Sequence, residues 1–188
     1  MLLFRLPGTY YLCLSFVMPD PTTVLASNTL EIKYAAISSG FIFLWLLLEY
    51  ILGAHGQNLR YYPYFVLGSL AVPAAGILMP IWRRKMYSME GLRFEQAFKS
   101  GLWVTAVLTI TLPVIYFIFF KFIGPDLFQN IQNFAYAHAH RFGLRPNVAM
   151  SRAEQLFNLR NYVLVGFFGT MIYGSLVAGL GGYLFRTK

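Results

Sequence analysis

Ser100–Phe120 reads SGLWVTAVLTITLPVIYFIFF, uncharged from end to end and bracketed by Lys99 and Lys121. At 1.5 Å rise per residue, a helix of that length crosses a hydrocarbon core roughly 30 Å thick. Three more charge-free windows lie around it, Tyr34–Leu48, Tyr61–Trp82 and Asn161–Phe185. The last two are long enough to span outright, and the first is long enough if Glu49 is accepted near its end. The expected architecture is an all-α integral membrane protein. Four transmembrane helices, near 34–53, 61–82, 101–123 and 161–185, form one membrane domain over 29–188, with a partly helical outer loop and an amphipathic cytoplasmic segment.

Composition excludes the ordinary alternative. Of 188 residues, 57% are hydrophobic and only 12% charged, where a soluble domain carries about 25% charged residues. The net charge of +8 would suggest nucleic acid in a soluble chain, but here the basic residues stand at the ends of the apolar windows. There they set orientation and meet lipid headgroups; the expected partner is the bilayer, not nucleic acid. The single Cys13 allows no internal disulfide.

With four spans, both termini share a side with the connection between the second and third. That side carries Lys33, Arg83, Arg84, Lys85, Arg93, Lys99, Arg186 and Lys188, with Arg5 farther off; the other carries Arg60, Lys121, Arg141, Arg145, Arg152 and Arg160. The positive-inside rule then places both termini in the cytoplasm. Residues 1–28 read as a loosely ordered or interfacial extension. Their apolar stretch, Tyr10–Met18, is about the length of a signal-peptide core, but Val24-Leu25-Ala26 is a poor cleavage site.

Two further segments show helical spacing. Between Tyr87 and Ser100, Phe94, Ala97, Phe98 and Gly101 share a face opposite Arg93, Glu95, Gln96 and Lys99, as in a surface helix leading into the third span. In the loop from Gly124 to Arg160, Asp126 is placed to cap a helix with Leu127, Ile131, Phe134 and His138 on one side. Ser151-Arg152-Ala153-Glu154 fits a capping box for a second helix that could run into the fourth span. The loop reads as an ordered outer cap.

Gly166, Thr170, Gly174, Ala178 and Gly182 follow at four-residue intervals along the fourth window. Small residues let helix backbones approach closely where lipid offers no competing hydrophobic force, so this stripe is expected to pack within the chain. A homodimer through the fourth span, or another membrane protein as partner, is the alternative. Pro73, Pro80 and Pro113 read as kinks that improve packing.

Glu49 is the one carboxylate within an apolar block, about 6 Å below the boundary if the first span ends near Gly53. Lys121 stands near the same membrane face. These two are the candidate intramembrane charges: pairing with each other, simple interfacial exposure, and proton or ion handling all stay open. His138-Ala139-His140 lacks a third metal ligand, and residues two apart on a helix diverge. No P-loop, G-x-S-x-G, H-E-x-x-H or pair of intramembrane acids stands in the sequence, so neither metal nor cofactor is expected.

Glu31-Ile32-Lys33-Tyr34-Ala35, then Phe94-Glu95-Gln96-Ala97-Phe98-Lys99-Ser100-Gly101, then Ile115-Tyr116-Phe117 and Ile123-Gly124-Pro125-Asp126, resemble a bacterial family of four-span membrane proteins, catalogued as domain of unknown function forty-one ninety-nine. The resemblance covers roughly Glu31 to Lys188 and implies an inner-membrane location. It supplies no catalytic or binding residues. The expected role is a non-enzymatic structural or accessory subunit of a membrane assembly, with a dry bundle. A small channel or transporter is the alternative, with a water-filled route lined by Glu49, Thr105, Thr109, Thr111 or Lys121.

Overall fold

The computed structural model describes residues 28–56, 58–88 and 91–187. The expected extension, Asn28 apart, lies outside them, as does Cys13. All regular structure among the described residues is helical: α1 Thr29–Ile51, α2 Tyr62–Tyr87, α3 Phe94–Phe122, α4 Asp126–Ala137, α5 Pro146–Leu156 and α6 Leu159–Phe185. The four long helices, α1, α2, α3 and α6, are each long and apolar enough to cross a membrane.

The long helices reach beyond the charge-free windows for local reasons. α1 starts upstream of Tyr34 and takes in Glu31, which is buried. α3 absorbs the amphipathic lead-in: Phe94 and Phe98 stack 5.7 Å apart against the last helix at Gly182, so this segment continues the span and does not lie apart as a surface helix. Arg93 and Gln96 close α3 at its start, with Arg93 N–H donating to Gln96 Oε1 at 3.1 Å. Gly91, at φ +86°, turns the chain into it. A Cβ at Gly91 would overlap Thr187, whose N–H donates to Leu92 O at 2.9 Å, so the end of the described chain is clasped to the α2–α3 connection.

The capping box at Ser151 is not used. α5 begins earlier, at Pro146, because proline's fixed φ suits the first helical turn, where no donor is needed. The helix ends at Leu156, and Asn158 starts α6 by accepting from Asn161 N–H at 2.9 Å, the stronger capping arrangement.

α3 packs most extensively on α6; α1 lies on α2 and α3, α2 also meets α3 and α6, and α4 packs on α5. α1 and α6 therefore flank the α2–α3 pair on opposite sides. Small residues set the closest approaches. A Cβ on Gly174 would overlap Thr105, one on Gly101 would meet Ala178, one on Gly76 would overlap Ser38, and one on Gly166 would meet Tyr116. The fourth-span stripe is thus occupied by α3 of the same chain. Ile42, Leu46, Ile77, Ile81, Val104, Leu108, Leu112 and Phe119 fill the middle of the bundle.

Tyr173 Oη donates to Leu70 O at 2.9 Å, tying α6 to α2 in the turn where Pro73 removes a backbone donor. Two ends result: a basic end, with the α2–α3 connection and both ends of the described chain, and a cap end, with the α1–α2 turn, α4 and α5.

Candidate functional site

The buried carboxylates of the bundle stand at its two ends, on one face of α1. At the basic end, Glu31 is 0% exposed. Its Oε1 accepts from Arg84 Nε of α2 at 2.5 Å and from Ser100 Oγ of α3 at 2.6 Å, while Oε2 is buried without a hydrogen bond. A charge removed from water needs such partners. One carboxylate therefore joins three spans.

At the cap end, Glu49 is 2% exposed. Trp45 sits one turn back on α1, and the edge of its indole ring lies where a Cβ on Gly68 of α2 would be. That glycine gives the ring its place, and Trp45 Nε1–H donates to Glu49 Oε1 at 2.5 Å. The second oxygen, Oε2, lies within hydrogen-bond distance of His55 Nε2, at 3.4 Å.

His55, 3% exposed, lies in the turn after α1. That turn is pinned by Gly53 at φ +71° and by Ala54 N–H donating to Glu49 O at 3.0 Å. The imidazole is walled by Tyr50, Tyr62, Phe119 and Phe120, with ring centroids 5.7–6.2 Å away. Behind them Tyr62 and Tyr162 share a hydroxyl hydrogen bond of 3.0 Å, and Phe128 of α4 meets Phe120 at 5.6 Å. The His55 carbonyl accepts from Asn130 Nδ2 of α4 at 2.7 Å. A buried carboxylate and a buried imidazole are thus built into the junction between cap and bundle.

Glu49 and Lys121 are not brought together. Lys121 is exposed, with its ammonium 5.1 Å from the Phe117 ring centroid and 5.6 Å from that of Phe122. An ammonium at the lipid boundary is held there by aromatic faces at no desolvation cost, while Glu49 finds nearer donors in its own helix and turn. The sequence reading missed His55, which stands in a short glycine-flanked turn and reads as an exposed loop residue. It also left Glu31 outside the apolar window, so a second buried acid went uncounted.

The hydroxyls placed on a hypothetical route bond elsewhere. Thr105 donates to Gly101 O at 2.9 Å, Thr109 to Thr105 O at 2.8 Å and Thr111 to Val107 O at 3.0 Å, and the Thr111 and Ser39 hydroxyls share a 3.0 Å hydrogen bond between α3 and α1. His138 Nδ1 donates to Phe134 O at 3.0 Å. Among the described residues no three His, Cys, Asp or Glu side chains gather to hold a metal.

No curated protein and no solved structure matches the chain. Residues 33–187 match the family described as Protein of unknown function (DUF4199). That match runs from the first span to the last, over four helices able to cross a membrane, and the chain accordingly belongs to the DUF4199 family as a multi-pass membrane protein.

Proposed function

We propose that this protein is a non-enzymatic structural or accessory subunit of a membrane assembly, with both termini on the cytoplasmic side of a bacterial inner membrane. The observation that carries this reading is the closely packed apolar middle of the bundle. Between the Glu31 and Glu49 clusters, Ile42, Leu46, Ile77, Val104, Leu108 and Leu112 pack with at most 3% exposure, and the neighbouring threonines bond to carbonyls of their own helix, with one hydroxyl pair, Ser39 and Thr111, bonded between α1 and α3 at 3.0 Å. A conduction route needs polar groups facing a continuous opening; here the polar groups are consumed locally. Long apolar faces stay exposed, including Leu164, Phe168, Ile172, Leu176 and Leu180 of α6, as surface for lipid or for a membrane-embedded partner.

The competing reading, a small channel or transporter working through Glu49 and Lys121, makes the opposite demand. Purified full-length protein in proteoliposomes tests both. Proton and potassium flux no greater than in empty vesicles, together with a stoichiometric membrane partner retained on native-detergent purification, is the expected result. Flux that disappears on Glu49→Gln would replace the accessory reading with the transport one.

A further inference from the structure

With Glu49 ionised, the 3.4 Å contact between His55 Nε2 and Glu49 Oε2 places the imidazole proton on that nitrogen. Nδ1 is left as a bare acceptor, buried and without a hydrogen-bond partner. In this state the pair carries one net negative charge within an aromatic shell, with the Trp45 N–H as its other donor. A proton added at Nδ1 converts the buried carboxylate into one half of an ion pair and removes the net charge from a low-dielectric site.

The other titratable groups facing the pair from the packed elements are phenols: Tyr50 of α1, Tyr62 of α2, Tyr116 of α3 and Tyr162 of α6. From α4 the facing groups are the neutral Asn130 and Phe128. Arg60, the nearest charge in sequence on the cap side, is exposed, as are Lys121 and Asp126. His138 follows α4 and stacks on Phe134 at 4.1 Å, a second imidazole that any test must separate from the first.

The same histidine holds the cap. Its carbonyl receives Asn130 of α4, a Cβ on Gly124 just before α4 would lie 3.5 Å from its Nδ1, and Phe120 touches both its ring and Phe128 of α4. Pinning the imidazole to Glu49 fixes the surface on which α4 sits.

We propose that Glu49 and His55 form a proton-binding site at the cap end, and that a proton taken up at His55 Nδ1 tightens the seating of α4 on the bundle. Protonation stabilises the seated cap on the acid side, and the effect fades as the pH rises and Nδ1 loses its proton.

The test uses the full chain in nanodiscs, with histidine labelled with nitrogen-15. The three histidines are assigned through His138→Gln and His140→Gln. His55 is expected to show a reversible change from one-proton to two-proton imidazole shifts between about pH 8 and about pH 5. Over the same range, hydrogen exchange in 126–137, corrected for intrinsic rates, is expected to slow on the order of tenfold. The slowing should survive His138→Gln and vanish in His55→Gln and in Glu49→Gln. A His55 ring that keeps one protonation state across the range, unchanged protection of α4 in the wild-type chain, or slowing that persists without His55 would each overturn the proposal. The first two readouts need no variant at the site, so a misfolded substitution leaves the test intact.

Discussion

Glu31 and Glu49 share a face of α1, eighteen positions apart, and are 0% and 2% exposed. Eighteen residues make five turns, about 27 Å of axis, close to the thickness of the hydrocarbon core. The two acids therefore bracket the apolar interior on one stripe with Ala35, Ser38, Ser39, Ile42 and Leu46. Each is met there by donors from outside its own turn: Arg84 and Ser100 at one end, His55 at the other. They act as end pins of the helix that flanks the α2–α3 pair.

Pinning of this kind has an asymmetric energetic signature. Arg84→Met strips the buried Glu31 carboxylate of its cationic partner, an operation that costs about 3 kcal/mol or more when the remaining charge stays buried. Ser100→Ala removes one hydrogen bond to a charged group, a loss of about 1.5–3 kcal/mol. The double variant Glu31→Leu with Arg84→Met should recover most of the Arg84→Met loss, because no charge is then stranded. Reversible unfolding in mixed micelles gives all three numbers, and a double variant less stable than Arg84→Met would mean that the ion pair contributes net stability.

The positions of the four spans are legible in the sequence because charge-free length is a one-dimensional property. The loop between the third and fourth spans is half legible. Leu127, expected on the inner side of a helix from Asp126, is buried on α4, but Ser151 opens nothing, since Pro146 begins α5 sooner. The Glu49–His55 pair was hidden for a different reason. A histidine past a helix end reads as solvated unless the turn is known to fold back, and the fold-back rests on the positive φ of Gly53 and on rings contributed by α2 and α3. Those are long-range facts.

Glycine positions on α6 differ in what a methyl group would meet. At Gly174 a Cβ overlaps the Thr105 side chain of α3, whereas at Gly169 nothing lies within 4 Å. Gly174→Ala should cost about 1–3 kcal/mol through overpacking. Gly169→Ala should be neutral or gain up to about 1 kcal/mol from helix propensity. Detergent melting temperatures that fall equally for both would show that α6 does not rest on α3 through its small-residue stripe.

A dry interior is directly testable by thiol chemistry. With Cys13 replaced by serine, Thr109→Cys lies at a site 6% exposed and should react with a membrane-impermeant maleimide at least about a hundredfold more slowly than Lys121→Cys, because thiolate formation and reagent access both require water. Comparable rates would require an aqueous path beside α3 and would favour the transport reading.

The proposed orientation rests on where the basic residues lie. Lys33, Arg83, Arg93 and Lys99 are all exposed at the basic end, and the charge bias of short connections places such an end in the cytoplasm. Two reporters on the Cys13→Ser background separate the sides without altering any basic residue: Glu95→Cys at the basic end and Gln129→Cys on the cap, both at exposed positions. In intact spheroplasts the impermeant reagent should label Gln129→Cys and spare Glu95→Cys until the membrane is opened. The reverse pattern would invert the molecule. It would put the Glu49–His55 pair on the cytoplasmic side, where pH is held nearly constant and a proton-responsive cap would have little to sense.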